Sequence, residues 1–226
     1  MSPGKFIVLE GSDGSGKTVQ FNLLLERLQK EGLQVAKFDF PRYGEPSAYF
    51  VENYLRGEYG SLEEIGPQRA SLFFALDRFA AAQQIRVALE EGKLVLSNRY
   101  VGSNMGHQGA KMDHPEERRN YFQWLDNLEF TILGIPRPDL NLILHVPAEI
   151  AHGLVGQKEQ RGYLKGRQRD LHEADLDYLR KTEAVYLEIA RLFPQNFTLL
   201  ECMEDGKLMS IEAVHKRVWD LVKNAI

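Results

Sequence analysis

The chain has 226 residues, of which 43% are hydrophobic, so it is long enough to bury a full core as one globular domain. The formal net charge of -4 argues against a polynucleotide partner, because such proteins usually carry a basic excess. A lone cysteine, Cys202, excludes an intramolecular disulfide and favours a reducing, cytoplasmic compartment. The amino terminus holds no apolar run long enough for a signal peptide or a membrane span, so we expect no membrane partner.

The first predicted unit is a strand, a glycine-rich loop and a helix. Residues 6–9 form a continuous apolar run, which is typical of a parallel strand buried on both faces. From Gly16 onward, apolar residues recur every three or four positions, and Gly32 is well placed to end the resulting helix. The apolar face of that helix consists of Phe21, Leu24, Leu25 and Leu28.

Strands and helices alternate along the rest of the chain. Further strands are predicted at residues 35–40, 94–97, 142–146 and 197–200. The helices between them include a short one at residues 48–55 and a long one from Pro67 to about Glu91. This alternation predicts an α/β three-layer sandwich, with about five parallel strands, helices on both faces and ligands at the carboxyl ends of the strands.

A polar stretch interrupts this pattern at residues 156–166, which read GQKEQRGYLKG. Its glycines and basic residues predict a short mobile flap, or lid, at about residues 156–168 between two helices. An ordinary solvated loop is the alternative. The chain is thus predicted to be one domain, residues 1–226, that carries a flap.

The loop after the first strand has the sequence of a phosphate-binding loop. Residues 11–18, Gly-Ser-Asp-Gly-Ser-Gly-Lys-Thr, match G-x-x-x-x-G-K-[ST] at every fixed position, which favours a P-loop NTPase fold over a structural glycine turn. Lys17 should reach the β and γ phosphates of ATP, and the Thr18 hydroxyl should ligate Mg²⁺. The predicted nucleotide-binding residues are Gly11, Ser12, Asp13, Gly14, Ser15, Gly16, Lys17 and Thr18.

Three further segments carry arginines that could bind an acceptor. Arg42 follows the second strand and would enter the cleft as a phosphate clamp. Phe74 and Arg78 are four residues apart on the long helix and offer an aromatic face with a planar donor. Arg99 lies just after the third predicted strand. The polar residues that follow it at helical spacing are Ser103, Asn104, His107 and Gln108.

Each of these segments also has a purely structural explanation. Phe74 lies in an apolar run and could be a core residue. Arg78 and Arg99 could form surface ion pairs. Ser103 and Asn104 could merely begin a helix. Their joint occurrence near strand ends favours the functional interpretation.

Together the segments resemble the thymidylate kinases, the dTMP kinases of the P-loop nucleoside monophosphate kinase group, over residues 6–191. The motifs that carry the resemblance, besides the phosphate loop, are Phe-Pro-Arg-Tyr at 40–43, Phe-Ala-Leu-Asp-Arg at 74–78, Arg-Tyr-Val-Gly-Ser-Asn at 99–104, His-Gln-Gly-Ala-Lys at 107–111 and Arg-Asp-Leu-His-Glu at 169–173. The resemblance implies that ATP, with Mg²⁺, phosphorylates dTMP to dTDP, and that the enzyme is a homodimer.

The resemblance implies that the thymine ring stacks on Phe74 and hydrogen-bonds to Arg78, with Asn104 and Gln108 helping to hold it. Physical chemistry agrees, because arginine can only donate, and thymine offers an acceptor where cytosine offers an amine donor. The same resemblance implies that Arg42 and Arg99 hold the acceptor phosphate. The remaining acceptor-site residues that it implies are Tyr43 and Ser103 in the cleft, Asp13 near the sugar 3′-hydroxyl and His107 where the family screens out a 2′-hydroxyl.

Family members without an arginine inside the phosphate loop usually supply one from the flap. This phosphate loop has none, so we expect Arg161 to reach ATP, with Arg167 and Arg169 as alternatives. The predicted catalytic residues are thus Lys17, Arg42, Arg99, Arg161 and Asp13. The predicted metal-site residues are Thr18, Asp13 and Glu173, with Asp170 a further acidic candidate.

The sequence departs from the family pattern at two strand ends. Asn98 stands where the family usually has aspartate, and an amide cannot order Mg²⁺ waters or orient Arg99 as a carboxylate would. His145 replaces another frequent aspartate, a change that could be only structural. Two alternatives therefore remain beside dTMP kinase activity: a deoxynucleoside or other monophosphate kinase on the same fold, and a nucleotide-binding protein with weakened catalysis.

Overall fold

The structure is a computed structural model that describes residues 3–160 and 175–226. Its main sheet has five parallel strands, in the order β2-β3-β1-β4-β5. These strands are Phe6–Glu10 (β1), Val35–Asp39 (β2), Leu94–Asn98 (β3), Leu140–His145 (β4) and Thr198–Glu201 (β5). Met203–Glu204 (β6) and Lys207–Leu208 (β7) form a small antiparallel ribbon.

The α-helices of the described residues are Lys17–Lys30 (α1), Tyr49–Leu55 (α2), Leu62–Glu90 (α3), Val101–Gly109 (α4), Pro115–Asp126 (α5), Ala148–Gln160 (α6), Leu176–Leu192 (α7) and Ile211–Lys223 (α8). A 3₁₀ turn, Pro46–Ala48, precedes α2, and a π-helical segment, Asn127–Ile132, continues α5. Gly66 breaks α3 with φ 70° and ψ 164°, so its regular part begins at Pro67, as predicted. None of these helices has both the length and the apolar content that crossing a membrane requires.

The inner strands β1 and β3 are buried on both faces, because side chains alternate along a strand and helices pack on each side of the sheet. Phe6 and Val8 of β1 pack into one core, together with residues of α3, α4, α5 and α7. Ile7 and Leu9 point the other way, into a core that α1 and α8 cover. Every residue of β1 is buried, which explains the unbroken apolar run in the sequence. The predicted three-layer α/β sandwich is confirmed.

The predicted elements agree with the structure in type and order, and differ at their ends. The fourth strand begins two residues earlier than predicted, at Leu140, and the second ends at Asp39. The predicted start of the flap at residue 156 is wrong, because α6 continues through Gln160. One glycine costs a helix only about 1 kcal/mol, and the Gln, Lys and Glu residues after Gly156 are good helix formers. The rest of the predicted flap lies outside the described residues.

The packing of α1 on the sheet generates a stability prediction. Leu28 of α1 is fully buried, whereas Leu33 in the turn that follows is 39% exposed. We expect Leu28→Ala to lower the free energy of unfolding by about 3 kcal/mol, because it leaves a cavity in a close-packed core. The matched control Leu33→Ala should cost less than about 1 kcal/mol in the same urea titration. Equal losses would contradict this packing of α1.

Candidate active site

The phosphate loop joins β1 to α1 and holds its own lysine. Gly14 has φ +81°, and a Cβ atom there would lie 2.3 Å from the carbonyl oxygen of Ala151 in α6, so only glycine fits. The buried ammonium group of Lys17 donates to the Ser12 carbonyl at 2.7 Å and contacts the Ser15 hydroxyl at 3.4 Å. The charge of Lys17 is therefore held against the loop.

Arg99 ties the end of β3 to the phosphate loop. Its backbone has φ +64°, a left-handed conformation that is uncommon for arginine and costs about 1–3 kcal/mol. Its guanidinium forms an ion pair with Asp13 inside the loop. It also donates to the His107 ring at 2.9 Å and to the Ser103 hydroxyl at 3.3 Å. The structure thus brings together four of the predicted site residues.

Both partners of the ion pair between Asp13 and Arg99 stay charged. Burial by itself would raise the pKa of Asp13, but the charges of Arg99 and Lys17 outweigh burial and hold that pKa well below its usual range. Burial would lower the pKa of Arg99, and Asp13 instead raises it above its usual value. A guanidinium and a carboxylate of opposite charge therefore face each other beside the phosphate loop at neutral pH.

His107 contacts the end of β3 through one ring nitrogen and α7 through the other. Arginine can only donate, so the Nε2 atom of His107 must accept from Arg99. The other ring nitrogen, Nδ1, contacts the Tyr178 hydroxyl of α7 at 2.9 Å. His107 is therefore held between α7 and the end of β3.

Glu10 is a site residue that the sequence reasoning missed. It ends β1 fully buried, and its carboxylate accepts from the backbone N–H of Tyr100 at 2.8 Å and from the Ser103 hydroxyl at 2.6 Å. Burial raises the pKa of Glu10, while the Ser103 hydrogen bond opposes that shift. The side chain fastens the start of α4 to the central strand. Its place at the junction of a predicted strand and a glycine loop was an available signal.

Arg42 lies after β2 and is oriented by α3. Its Nε donates to the Asp77 carboxylate at 3.0 Å, and its backbone N–H donates to the other carboxylate oxygen at 2.8 Å. Its Nη2 donates to the Ser47 hydroxyl at 2.7 Å. Within residues 3–160 and 175–226, its hydrogen bonds come from the backbone N–H, Nε and Nη2, and none comes from Nη1.

Arg78 forms a buried ion pair with Glu129 of the π-helical segment. The Nε and Nη2 atoms of the arginine donate to the two carboxylate oxygens at 2.6 and 2.5 Å, and both side chains are almost fully buried. The explanation of Arg78 as a surface ion-pair residue is therefore wrong. Sequence reasoning missed Glu129, since no motif or periodicity marked it.

Phe74, Asn104 and Gln108 lie near Arg78 on α3 and α4. Phe74 is half-buried and meets the ring of Tyr54 edge-on, with centroids 6.0 Å apart, so it is not part of the fully buried core. The Nδ2 atom of Asn104 donates to the Ser71 carbonyl at 3.1 Å, while its buried Oδ1 has no partner among the described residues. Gln108 is also buried and accepts from Lys111 at 2.9 Å.

Ser103 and Asn104 do not cap α4, which begins two residues before Ser103, at Val101. The hydroxyl of Ser103 binds Glu10, and the amide of Asn104 binds α3. Tyr43 is half-exposed in the loop after β2. The alternative that Ser103 and Asn104 begin α4 is therefore wrong.

The predicted metal and flap residues are only partly within the structure. Thr18 is exposed at the start of α1, and the Asp13 carboxylate already forms an ion pair with Arg99. The described ranges contain no group of three or more His, Cys, Asp or Glu residues that could hold a metal ion. The expected residues that lie outside the described ranges are Arg161, Arg167, Arg169, Asp170 and Glu173.

Asn98 pairs with an acidic residue that the sequence analysis did not single out. Its Nδ2 atom donates to the Asp39 carboxylate at 2.9 Å, and the two residues are register partners at the ends of β3 and β2. The signal was the position of Asp39, the last residue of a predicted strand and just before the Phe-Pro-Arg-Tyr segment. A carboxylate is thus present at this edge of the sheet although position 98 is an amide.

The sequence profile of the family described as thymidylate kinase matches residues 9–218. The chain belongs to the thymidylate kinase family. A thymidylate kinase of Mycobacterium tuberculosis is 36% identical over 185 residues, which cover 81% of this chain and 85% of the relative. A probable thymidylate kinase of Pyrococcus abyssi is 30% identical and covers 99% of this chain and 98% of the relative. The resemblance inferred from the motifs is confirmed.

A solved thymidylate kinase structure from Candida albicans, described as revealing the origin of broad substrate specificity, has the same fold. It superimposes with a TM-score of 0.71 over 98% of this chain and 92% of that chain, at 24% sequence identity. The predicted P-loop NTPase fold is thereby confirmed for this member of the thymidylate kinase family.

His145, the second departure from the thymidylate kinase pattern, joins three elements. It ends β4, and its two ring nitrogens contact Glu201 of β5 at 2.6 Å and Glu183 of α7 at 2.9 Å. The second oxygen of Glu183 accepts from the backbone N–H of Ala148 at the start of α6. Burial alone would lower the pKa of His145, but the hydrogen bonds of the two carboxylates raise it above the ordinary value of 6.5. This substitution therefore has a structural role.

Stability should consequently depend on pH through His145. Because the pKa of His145 is raised in the folded state, the contribution of protonated His145 to stability is fully present below about pH 6.5. It is lost as pH rises through the pKa of the folded state. We expect the difference in Tm between wild type and His145→Gln to be larger at pH 6 than at pH 9. The exposed His152→Gln serves as control and should show no such trend. A difference in Tm that does not change with pH would contradict an ionised contact between His145 and the two glutamates.

Proposed function

We propose that this chain transfers the γ-phosphoryl group of ATP to dTMP, giving dTDP and ADP. The observation that carries the proposal is the positive charge at one edge of the sheet, where Lys17, Arg42 and Arg99 follow the ends of β1, β2 and β3. Transfer between two phosphates brings anions together, and such an edge counters their repulsion. Membership in the thymidylate kinase family supports dTMP as the acceptor.

The phosphate loop is the donor site of this proposal. Backbone N–H groups of the loop and the amino end of α1 would bind the β and γ phosphates, as in other loops of this sequence type. Lys17, buried against the loop, adds a full positive charge where negative charge shifts during transfer. Mg²⁺ bound with ATP would neutralise phosphate charge, and Thr18 offers it a hydroxyl oxygen.

Arg42 and Arg99 are the proposed acceptor clamps. Each is held in place by a carboxylate, Asp77 in one case and Asp13 in the other, and each is only partly exposed. An oriented guanidinium loses less entropy when a phosphate binds, because its fork is already in place. A nucleoside acceptor would give neither arginine a phosphate to bind, which argues against a deoxynucleoside kinase.

Arg78 and Asn104 offer complementary groups to thymine. Glu129 orients the Arg78 guanidinium, and Nη1 also donates to the Tyr100 carbonyl at 3.4 Å. The N–H groups that remain can donate to a base carbonyl. The Oδ1 atom of Asn104 is buried and accepts from nothing else in the described residues, so it can take the N3–H of thymine. Cytosine lacks that hydrogen and presents an amine in place of the carbonyl, so it should bind poorly.

The transfer step follows from this arrangement. An oxygen of the dTMP phosphate attacks the γ-phosphorus of ATP in line with the β,γ-bridging oxygen. The new P–O bond forms as the bridge breaks, and ADP leaves with the electron pair. Lys17 and the two arginines hold the reactants and balance the charge on the transferred group.

A coupled ADP assay over nucleosides and monophosphates tests the function. We expect dTMP to have the highest kcat/KM, and thymidine not to be phosphorylated. Lys17→Ala should lower kcat about a hundredfold or more, a larger factor than its change in the KM for ATP, because its charge acts mainly in the transition state. The exposed Lys30→Ala at the end of α1 is the matched control. Faster turnover of AMP or thymidine than of dTMP would overturn the proposal.

We also propose a homodimer that buries one face of α3. Four apolar residues at helical spacing on this helix are 38 to 49% exposed: Leu72, Leu76, Phe79 and Val87. A row of exposed apolar side chains on one helix is typical of a protein interface. The homodimer implied by the family resemblance agrees with this surface.

Sedimentation tests the dimer. We expect wild type to sediment as a dimer at micromolar concentration, and Phe79→Arg to shift the protein toward monomer, because it places a charge in the apolar interface. Leu208→Arg, at an apolar residue 38% exposed on β7, is the matched control and should leave the dimer intact. A monomeric wild type would contradict the proposal.

We further infer a cytoplasmic location. The supporting observation is Cys202, whose buried thiol has no disulfide. Burial raises the pKa of this thiol to about 12, so it behaves as an apolar core group rather than a reactive one. Consumption of ATP fits the same compartment.

A further inference from the structure

A carboxylate and an amide form an unusual pair beside the phosphate loop. Asp39 and Asn98 are register partners at the ends of neighbouring strands, joined by a 2.9 Å hydrogen bond. Since a carboxylate can only accept, the amide nitrogen of Asn98 must face Asp39 and its oxygen must point away. That Oδ1 atom is buried and has no partner in the described part of the chain.

The pair lies on the face of the sheet that α1 covers. Side chains alternate along a strand, so Asp39 shares a face with Val35, and Asn98 shares one with Leu96. Both Val35 and Leu96 pack in the core under α1 and α8. The helix α1 begins at Lys17, so the pair and the start of α1 are at the same end of this face.

The electrostatics of Asp39 agree with this position. Asp39 is exposed at its outer side, and partial desolvation of its carboxyl raises the pKa, while the Asn98 amide and the charges of Arg99 and Lys17 act to lower it. Asp39 is thus within the field of both cations of the phosphate loop region. Asp13, the other candidate for a carboxylate that binds the metal, already has its charge balanced by the ion pair with Arg99.

We infer that Asp39, oriented by Asn98, is the carboxylate that receives the divalent cation carried by the nucleotide. The aspartate that is usual in the family serves this purpose from position 98 alone. Here β2 supplies the carboxylate, Asp39, and β3 supplies the amide, Asn98, that orients it. Asp39, Asn98 and Thr18 offer oxygens of the hard type that Mg²⁺ prefers at the same end of this face of the sheet, and nucleotide phosphates commonly complete such a set. The inference rests on the proposed function for the presence of a nucleotide. It also removes the reason for expecting weakened catalysis from Asn98.

Calorimetric titration with ADP, in Mg²⁺ and in EDTA, tests the inference. We expect Asp39→Asn to weaken binding of ADP in Mg²⁺ about tenfold or more, a factor typical for residues that support a metal. Binding of ADP in EDTA should stay equal or become tighter, because a negative charge near the phosphates is removed. The matched control is Asp139→Asn, which changes the same charge at the start of β4, where Asp139 contacts Lys5.

A charge-swapped double variant is the rescue experiment. Asp39→Asn combined with Asn98→Asp returns the carboxylate to β3 and the amide to β2, and it should restore the affinity for ADP in Mg²⁺ to within about threefold of wild type. Asn98→Asp alone sets two carboxylates side by side, so we expect no gain from it. Wild-type affinity in Asp39→Asn, or equal weakening with and without Mg²⁺, would overturn the inference. Turnover of dTMP by wild type, measured in parallel, tests the proposed function separately.

Discussion

Positive charge concentrated at one edge of a parallel sheet is the condition on which this site depends. The strand order brings the carboxyl ends of β1, β2 and β3 together, and the cations Lys17, Arg42 and Arg99 follow those ends. Like charges on one edge repel each other, and the repulsion is stronger where water is partly excluded. The fold offsets this repulsion with carboxylates that bind the two arginines. Those carboxylates also orient the guanidinium groups, so the same contacts provide stability and positioning.

A second buried pair has a comparable role in the proposed base site. Removing a guanidinium and a carboxylate from water costs several kcal/mol per ion, so the contact of Arg78 with Glu129 is weak evidence for stability. Its bidentate geometry fixes the plane of the guanidinium and leaves only some of its N–H groups for a ligand. A rigid donor next to the unsatisfied acceptor of Asn104 would favour thymine over cytosine.

Local sequence patterns predicted most of the fold, because their causes are local. The run at residues 6–9, the glycine loop and the spacing along α1 each depend on neighbouring residues. The partners of the site residues could not be found in this way. Asp77 is 35 positions from Arg42, Glu129 is 51 from Arg78 and Asp39 is 59 from Asn98. Such pairs form only after elements that are distant in the sequence pack together. The end of α6 was misjudged for another reason, since glycine marks a helix boundary only weakly against helix-forming neighbours.

The central claim is that donor and acceptor phosphates meet in line at one edge of the sheet. A single compound that joins adenosine and thymidine through a polyphosphate chain tests it most directly, because linked groups bind with a high effective concentration when both sites are within reach. We expect its affinity, measured by calorimetry, to exceed that of ATP and of dTMP alone by about a hundredfold or more. We also expect it to compete with both substrates. An affinity no better than that of ATP, or binding that leaves the dTMP site open, would contradict the account.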